Sequence, residues 1–458
     1  MSSPSPVAPE SYGDAPLRPI TRCADPERAL GARRTRLGWA HVGTPAAGRT
    51  NDATTGTPSP GGRRRVERPA GFVLVAYSFI VTMIGTTLPT PLYSIYRQRL
   101  GFSEVITTVV FAAYAVGVVA ALLLLGRLSD QIGRRPVLLA GLAFSVVSSV
   151  VFLLPGGLTP LFVGRVLSGL SAGIYTGTAT AALLDLAPPQ GRARAGLVGA
   201  AVNMLGLGLG PVLAGVLAQF APAPLDLPYV VEIVLVVLAA VGIALVPEPV
   251  GDAAPLTGPG RASLRPQRLR VPPSARPVFV RAVIAGFAGF AVLGLFTAVS
   301  PSFVGEVIGV GNHAVQGLVV FSLLAASTVG QVASARTSER LALTGGAVVL
   351  ALGALVIAGA LLAASLVLLV VGAVVAGLGQ GASFRAGLQA VGAASPAEQR
   401  SEVSSSFFVV IYVALSIPVI GVGAAAQGVG LVAAGVGFSI GVAVLALVAF
   451  LALLRRTD

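Results

Sequence analysis

About twelve membrane-length apolar runs follow one another between Phe72 and Leu454, and they constrain the fold more than any other feature of the chain. A membrane-spanning helix needs about 20 mostly apolar residues. Of the 458 residues, 55% are hydrophobic and 11% are charged, whereas soluble domains carry about 25% charged residues. Because lipid offers no hydrogen bonds to the backbone, the runs predict an all-α membrane protein.

One long connector divides the apolar runs into six and six. It covers 247–278, is rich in Pro and Gly, and carries five arginines. We therefore expect a first six-helix half at 69–246, a cytoplasmic linker at 247–278 and a second half at 279–458. The predicted spans are 70–91, 104–125, 136–154, 160–184, 195–219, 229–246, 279–300, 315–334, 342–362, 365–388, 403–425 and 430–454.

The segment 1–68 contains no sustained apolar run. Its eleven arginines against six acidic residues, with many Pro and Gly residues, are typical of a disordered, solvated tail. An alternative is that this tail contacts anionic lipid or a partner.

The placement of arginine predicts the orientation of the chain. The net charge is +13 and the chain contains no lysine, a usage that indicates a GC-rich bacterial genome and not nucleic-acid binding. Short loops on the cytoplasmic side of a membrane carry an excess of basic residues. With the arginine-rich loops inside, the outer loops hold only Arg97 and Arg99. We therefore expect a multi-pass protein of the bacterial plasma (inner) membrane with both termini in the cytoplasm.

The two halves repeat at single positions. A shift of 208 residues superposes Gly169 on Gly377, Gly173 on Gly381, Pro188 on Pro396 and Arg192 on Arg400. The fourth and tenth spans therefore occupy equivalent places in two pseudo-symmetric halves. In transporters built from such repeats, the substrate site lies between the halves near the membrane midplane.

A charge-dense loop joins the second and third spans. From Gly126 to Arg135 it reads Gly-Arg-Leu-Ser-Asp-Gln-Ile-Gly-Arg-Arg. Gly126 and Gly133 allow tight turns. Asp130 lies just before the third helix, where it is expected to accept amide hydrogens at the positive end of the helix dipole. Arg127, Arg134 and Arg135 are expected to hold the loop at the cytoplasmic interface.

This signature loop resembles, over its whole length, the loop between the second and third helices of the major facilitator superfamily. The resemblance implies twelve transmembrane helices in two six-helix halves and transport by alternating access. It also implies that the loop bridges the halves on the cytoplasmic side and stabilises the outward-open state. The alternative is that its arginines only set the topology.

A second resemblance to the family lies in the fourth span, which contains Arg165-x3-Gly169-x3-Gly173. A charge inside the membrane indicates a functional site by default. In the family, an arginine at this place is linked with proton transfer. The alternative is an arginine whose head group extends outward to the lipid headgroups.

The fifth span contains Gly206-x3-Gly210-Pro211-x3-Gly215. Small residues at this spacing allow close helix approach, and proline distorts the helix. The arrangement resembles the antiporter motif of drug:proton exporters, which favours export over import. Ordinary small-residue packing is the alternative.

Polar residues that are expected near the midplane are sparse. A cavity so poor in charge suits a hydrophobic or amphiphilic substrate better than a phosphate or a dicarboxylate. Some of these side chains are alternatively expected only to form hydrogen bonds between helices. The substrate-cavity candidates are Tyr114, Tyr175, Asn203, Gln331, Gln380 and Tyr412.

Three residues are candidates for coupling to protons. Glu232 lies about four residues into the sixth span, where it is expected to be partly desolvated, and Arg165 is the available counter-charge. Ending among the lipid headgroups is the alternative for Glu232. Asp185, at the cytoplasmic end of the fourth span, suggests a structural or gating acid.

Signatures of enzymes are absent from the sequence. The histidines are His41 and His313, Cys23 is the single cysteine, and a phosphate-binding loop with its lysine cannot form without lysine. We therefore expect no catalytic residue, metal or cofactor. The expected protein is a monomeric secondary transporter of a small molecule, driven by protons. The alternatives are a proton-coupled importer or facilitator of a metabolite, and a non-transporting sensor with the same fold.

Overall fold

The computed structural model describes residues 66–126, 128–248 and 269–454. Within these residues, twelve helices are long and apolar enough to cross a membrane, and no β-strand occurs. The predicted all-α membrane bundle is therefore confirmed. The helices are α1 (Arg68–Leu100), α2 (Glu104–Leu125), α3 (Arg134–Leu153), α4 (Leu158–Leu186), α5 (Pro189–Phe220), α6 (Leu227–Leu245), α7 (Arg276–Ala298), α8 (His313–Ser334), α9 (Glu339–Leu362), α10 (Leu366–Ala393), α11 (Arg400–Val429) and α12 (Leu431–Leu454).

The two halves have the same packing pattern. In the first half, α1 packs on α4, α5 and α6, while α4 packs on α2 and α3, and α3 packs on α6. In the second half, α7 packs on α10, α11 and α12, while α10 packs on α8 and α9, and α9 packs on α12. Each contact of one half thus has its counterpart six helices later, which confirms the pseudo-symmetric fold.

Glycines that the sequence repeat superposes also have equivalent contacts. A Cβ atom on Gly169 of α4 would lie 2.1 Å from the Tyr114 carbonyl oxygen of α2. At the equivalent place, a Cβ atom on Gly377 of α10 would lie 2.3 Å from the Leu323 carbonyl oxygen of α8. Both helix pairs therefore touch through backbone, as only glycine permits.

The first span continues beyond its predicted end near residue 91. The helix Arg68–Thr87 is followed by a 3-10 turn, Thr90–Leu92, and by the helix Tyr93–Leu100. Pro91 fits the start of a helical turn because its missing N–H has no partner to lose there. The helix ends at Gly101, whose φ of +68° favours glycine.

Two further segments that were predicted as loops contain helical structure. Leu128–Ile132 forms a short helix within the signature loop. Beyond α7, the chain continues through Ser300–Ser302 and a π-helical turn, Phe303–Val307, which includes Glu306. The described residues leave out residues 1–65 of the predicted 1–68 tail, Arg127, the middle of the linker at 249–268 and residues 455–458.

We call the end of the bundle that carries residues 126–135 the signature end, and the opposite end the far end. Two helix pairs join the halves, α5 with α8 and α2 with α11. Close approaches of both pairs lie toward the far end. A Cβ atom on Gly215 of α5 would lie 2.3 Å from the His313 carbonyl oxygen, and one on Gly423 of α11 would lie 2.5 Å from Thr108 Oγ1.

Candidate functional site

The signature loop is organised around Arg134. Its Nη1 donates hydrogen bonds to Ser129 Oγ at 2.7 Å and to Asp130 Oδ1 at 2.5 Å. Its Nε donates to Asp185 Oδ2 at 3.1 Å. The guanidinium therefore joins the loop to the end of α4, where the sequence placed a structural or gating acid.

Glu248, and not Asp130, caps the third helix. Glu248 Oε1 accepts from the Arg134 backbone N–H at 2.7 Å, and Oε2 accepts from the Arg135 N–H at 3.1 Å. A carboxylate is stabilising at this end of a helix. The prediction for Asp130 was wrong because Asp130 lies a full turn before α3, in the short helix, where its side chain faces the Arg134 guanidinium.

Gly133 makes room for Glu248. Its φ is +99°, and a Cβ atom there would lie 2.9 Å from Glu248 Cδ. Glu248 was not predicted as a site residue, because it falls in the predicted linker 247–278. An acidic residue directly after the last span of a half was the available signal.

Within the described parts of the chain, the hydrogen bonds and ion pairs of Asp130, Arg134 and Arg135 reach residues of the first half and Glu248, directly after it. Besides its capped N–H, Arg135 donates from Nη2 to the Ala244 carbonyl oxygen near the end of α6. The loop thus holds α3, α4 and α6 together. Its bridging of the two halves stays a prediction.

Replacing Arg134 with Gln is expected to lower the free energy of unfolding by about 1 kcal/mol, because partly exposed ion pairs contribute at that level. Asp130→Asn should cost less, since the Asp130 side chain is 62% exposed. Thermal unfolding of the purified variants in detergent measures both effects. Arg336→Gln, at an exposed site of the second half, is the matched control. Equal losses for Arg134→Gln and Arg336→Gln would contradict this account.

A central cavity lies between the two halves. Its volume is about 40 Å³, which is room for a few water molecules and far less than the roughly 300–1,000 Å³ of pockets for drug-sized ligands. The central cavity is therefore too small, in this conformation, to hold a drug-sized ligand. The lining residues from the first half are Thr86, Thr87, Phe111, Tyr114, Arg165, Thr176, Asn203, Met204 and Leu207, and those from the second half are Phe290, Leu293, Thr297, Leu324, Phe384, Phe408, Tyr412 and Leu415.

Three of the six predicted cavity residues meet in this cavity. Tyr114 and Tyr412, from α2 and α11, pack edge to face with ring centroids 6.2 Å apart, and Asn203 of α5 lines the same space. The tyrosine pair therefore joins the two halves across the cavity.

The other three predicted cavity residues lie between helices, outside the lining. Tyr175 is fully buried, with its ring 6.1 Å from that of Phe79. Gln380 Oε1 accepts a hydrogen bond from Ser327 Oγ at 2.5 Å, and Gln331 Nε2 donates to the same Oγ at 3.3 Å. Gln380 thus bonds between α10 and α8, as polar side chains do inside a helix bundle, whereas Gln331 bonds to a serine of its own helix.

Arg165 points into the protein and not toward the lipid headgroups. Its side chain is 2% exposed, and Nη1 donates to the Thr86 carbonyl oxygen at 2.5 Å. The guanidinium carbon lies 4.7 Å from the ring centroid of Tyr114 and 5.5 Å from that of Phe111. Both distances are in the range of cation–π attraction.

The glycine motif of α5 packs on two helices. A Cβ atom on Gly210 would lie 2.3 Å from Thr87 Oγ1 and 2.4 Å from the Ile84 carbonyl oxygen of α1. Gly206 meets α1 as well, since its Cβ atom would lie 2.6 Å from Met83 Cβ. Gly215 meets α8 at the far end, as described above. The motif therefore places α5 tightly between α1 and the second half.

Thr87 also satisfies the backbone that Pro211 leaves open. Proline has no N–H, so the carbonyl oxygen four residues earlier, that of Leu207, loses its helical partner. Thr87 Oγ1 donates to this oxygen at 2.7 Å. The proline of the motif is thereby tied to α1 where α1 lines the central cavity.

Glu232 is buried among three helices. It is 2% exposed on α6, and its Oε1 and Oε2 accept hydrogen bonds from Ser145 Oγ at 3.0 Å and Ser149 Oγ at 2.6 Å, both on α3. A Cβ atom on Gly85 of α1 would lie 1.7 Å from Oε1. The serines and Gly85 therefore enclose the Glu232 carboxyl group. It does not end among the lipid headgroups, and it forms no ion pair with Arg165 in the described residues.

A set of charged and polar side chains joins the halves at the far end. This far-end network comprises Arg97, Glu104, Ser302 and Glu306. Arg97 forms ion pairs with Glu104 and Glu306, and Ser302 Oγ donates to Glu104 Oε1 at 3.0 Å. The network was not predicted, because its contacts between the halves join residues 198 and 209 positions apart, which no local pattern relates.

A second cavity extends toward the signature end. Its volume is about 160 Å³, and it lies between α2, α4 and α11, with Gly126, Gly177 and Ser405 among its lining residues. Phe408 lines both this cavity and the central one. Phe408 thus lies between the central cavity and a second space on the signature side, whereas the far-end network joins the halves at the opposite end. Across the described ranges, no cluster of three or more His, Cys, Asp or Glu residues could hold a metal ion.

Two of the known proteins with similar sequences are drug-resistance proteins. The chain is 33% identical over 172 residues to the tetracycline resistance protein, class D, of Salmonella ordonez, which covers 37% of this chain and 42% of that protein. It is 28% identical over 174 residues to the quinolone resistance protein NorA of Staphylococcus aureus, covering 36% and 44%. Less than half of each relative is matched.

The fold and the family are shown by broader matches. A bacterial homologue of the human lysosomal transporter Spinster superposes with a TM-score of 0.65 at 16% identity, over 84% of this chain and 97% of that structure. The profile of the Major Facilitator Superfamily matches residues 75–417. The resemblance of the signature loop is thus confirmed, and the chain belongs to the major facilitator superfamily.

Proposed function

We propose that the protein is a secondary active transporter that exports hydrophobic or amphiphilic small molecules in exchange for protons, by alternating access. The observation that carries the proposal is the central cavity, which both halves line while the far-end network joins them at one end. Rocking of the two halves against each other would break the far-end network and open the central cavity at the far end. Transporters built from repeats work in this way around a fixed midplane site.

Export is favoured over import by two observations. The glycine–proline motif of α5 packs directly beside the central cavity through Thr87 and Leu207. Two relatives that share part of the sequence are resistance proteins for tetracycline and quinolones. Import of a metabolite and a sensor without transport remain the competing functions.

The orientation follows from the arginines. Arg134 and Arg135 lie at the signature end, which we assign to the cytoplasm of a bacterial cell, with both termini and the 247–278 linker on that side. The far-end network then closes the cavity toward the outside. We assign the monomer as the transporting unit, with 69–246 and 279–458 as its two moving halves.

Coupling to protons is assigned to Glu232. It is a carboxylate buried among α1, α3 and α6 without a cationic partner in the described residues. An ionised carboxylate buried in this way costs several kcal/mol. Its charge therefore responds strongly to any change in solvation that accompanies the movement of α1. Asp185, through Arg134, is assigned to closing the signature end.

Transport in inverted membrane vesicles tests the proposed function. Fluorescent amphiphiles of negative, zero and positive charge are expected to include at least one that accumulates when a proton gradient is applied and leaves when it is collapsed. Vesicles without the protein are the control. Uptake of sugars or organic acids in place of the amphiphiles would identify an importer, and movement of no compound in either direction would support a sensor.

A further inference from the structure

The central cavity contains one charge and nothing that neutralises it. Of its seventeen lining residues, Arg165 is the charged one, and the others are aromatic, aliphatic, hydroxyl or amide side chains. Ion pairs of the described residues leave Arg165 out. A cation buried in a membrane protein is costly unless a counter-charge or hydrogen bonds compensate it.

The protein satisfies the guanidinium only in part. Nη1 donates to the Thr86 carbonyl oxygen, and two aromatic rings lie against the group. Nε is buried and has no hydrogen-bond partner within the described parts of the chain. An unpaired buried donor costs about 1–3 kcal/mol, and more when it is charged. Arg165 thus carries an unpaired donor on a side chain that is 2% exposed.

Glu232 does not supply the missing charge. Its two carboxyl oxygens are occupied by Ser145 and Ser149. The carboxyl group rests on Gly85 of α1, whereas Arg165 binds the carbonyl of the next residue, Thr86. The first helix thus contacts the two groups at consecutive residues, and they form no ion pair.

The remaining lining indicates what surrounds the charge. Aromatic rings from both halves form much of the wall, with Phe290 and Phe384 only 5.0 Å apart between centroids. Hydroxyl groups of Thr86, Thr87 and Thr176 and the amide of Asn203 also line it. Such a lining fits an aromatic or aliphatic body with few polar groups.

We infer that the central cavity binds amphiphilic monoanions, in which one carboxylate or similar anionic group meets the Arg165 guanidinium and the apolar body meets the aromatic wall. This inference rests on the proposed function for its setting and narrows the substrate class. Guanidinium groups bind carboxylates through parallel N–H donors, a geometry that a lysine does not reproduce. Because Arg165 is the one cation among the lining residues, it can neutralise a single negative charge on the substrate.

Binding of three dansyl probes to the purified full chain in detergent tests the inference. Dansylglycine carries a carboxylate, dansylglycinamide is neutral, and dansylethylenediamine carries an amine. We expect dansylglycine to bind most tightly in fluorescence titrations. Arg165→Gln is expected to weaken its binding at least about tenfold while changing the binding of the neutral probe little. Arg99→Gln, which removes one positive charge at an exposed position, is the matched control and should retain the preference.

A second variant tests the inference if Arg165→Gln does not fold. Asn203→Asp is nearly isosteric and adds a negative charge inside the cavity, so it should weaken dansylglycine and strengthen the amine probe. An unchanged order of the three probes in this variant would overturn the inference. Tighter binding of the neutral or amine probe by the unaltered protein, or no binding of dansylglycine at all, would overturn it too.

Transport separates this inference from the proposed function. If dansylglycine binds through Arg165 but no amphiphile moves with the proton gradient, the transport proposal fails and the anion site stands. If a cationic amphiphile is pumped while dansylglycine does not bind, the transport proposal stands and the anion site is overturned.

Discussion

Replacing Gly210 with Leu is expected to prevent assembly of the bundle and to abolish transport. A Cβ atom alone would lie 2.3 Å from Thr87 Oγ1 and 2.4 Å from the Ile84 carbonyl oxygen, and the backbone of α1 cannot turn away as a flexible side chain can. Inserting carbon atoms into a packed core costs about 1–3 kcal/mol and occasionally more. Because the clash here is with backbone, we expect about 3 kcal/mol or more, a large part of a typical total stability.

The Gly210→Leu experiment compares membrane abundance, elution as a single species in detergent, and thermal unfolding. Gly421→Leu is the matched control, since a Cβ atom on Gly421 of α11 would meet nothing within 4 Å. Gly210→Ala should give an intermediate loss. Full stability of the Gly210→Leu variant would show that α1 and α5 do not pack as described.

The elements of α5 differ in how far the sequence predicts them. Gly206, Gly210 and Pro211 were predicted as a packing motif, because the spacing of small residues sets which face of a helix can approach another. The helices that pack on this face could not be predicted, since the spacing of small residues does not indicate which helix they contact. Likewise, the hydrogen bond from Thr87 to the Leu207 carbonyl depends on two helices 120 positions apart.

The signature loop shows the same division between local pattern and tertiary contact. Arg134 and its ion-pair partner Asp130 are four residues apart within one sequence motif. The contribution of Glu248 depends on the return of the chain after α6 to the start of α3. At the far end, Arg97 and Glu306 are 209 positions apart, so their contact follows from closure of the two halves and not from any motif.

The cavity candidates were half right in location for a similar reason. Tyr114, Asn203 and Tyr412 line the central cavity, whereas Tyr175, Gln331 and Gln380 lie between helices. Depth in the membrane is readable from the length of a span. Direction around the helix is harder to read here, because α4 and α10 are contacted on several sides by neighbouring helices.

Glu232→Gln is expected to uncouple transport from protons while leaving the fold intact. Glutamine has nearly the shape of glutamate, and its amide can still meet Ser145 and Ser149, which now hold the carboxyl oxygens. Gly85 leaves space for either side chain, since it has no Cβ atom at the contact. What the variant loses is a group that can exchange a proton among α1, α3 and α6.

Proteoliposomes distinguish coupling from passage. With an amphiphile that the protein transports, substrate-driven proton flux should fall to the level of empty liposomes in Glu232→Gln, while exchange of labelled for unlabelled substrate continues. Glu339→Gln, at the exposed start of α9, is the matched control and should retain proton flux. Loss of both activities together would indicate a structural role for Glu232. Undiminished proton flux in a well-folded variant would remove Glu232 from the mechanism, because the glutamine cannot take up or release the coupled proton.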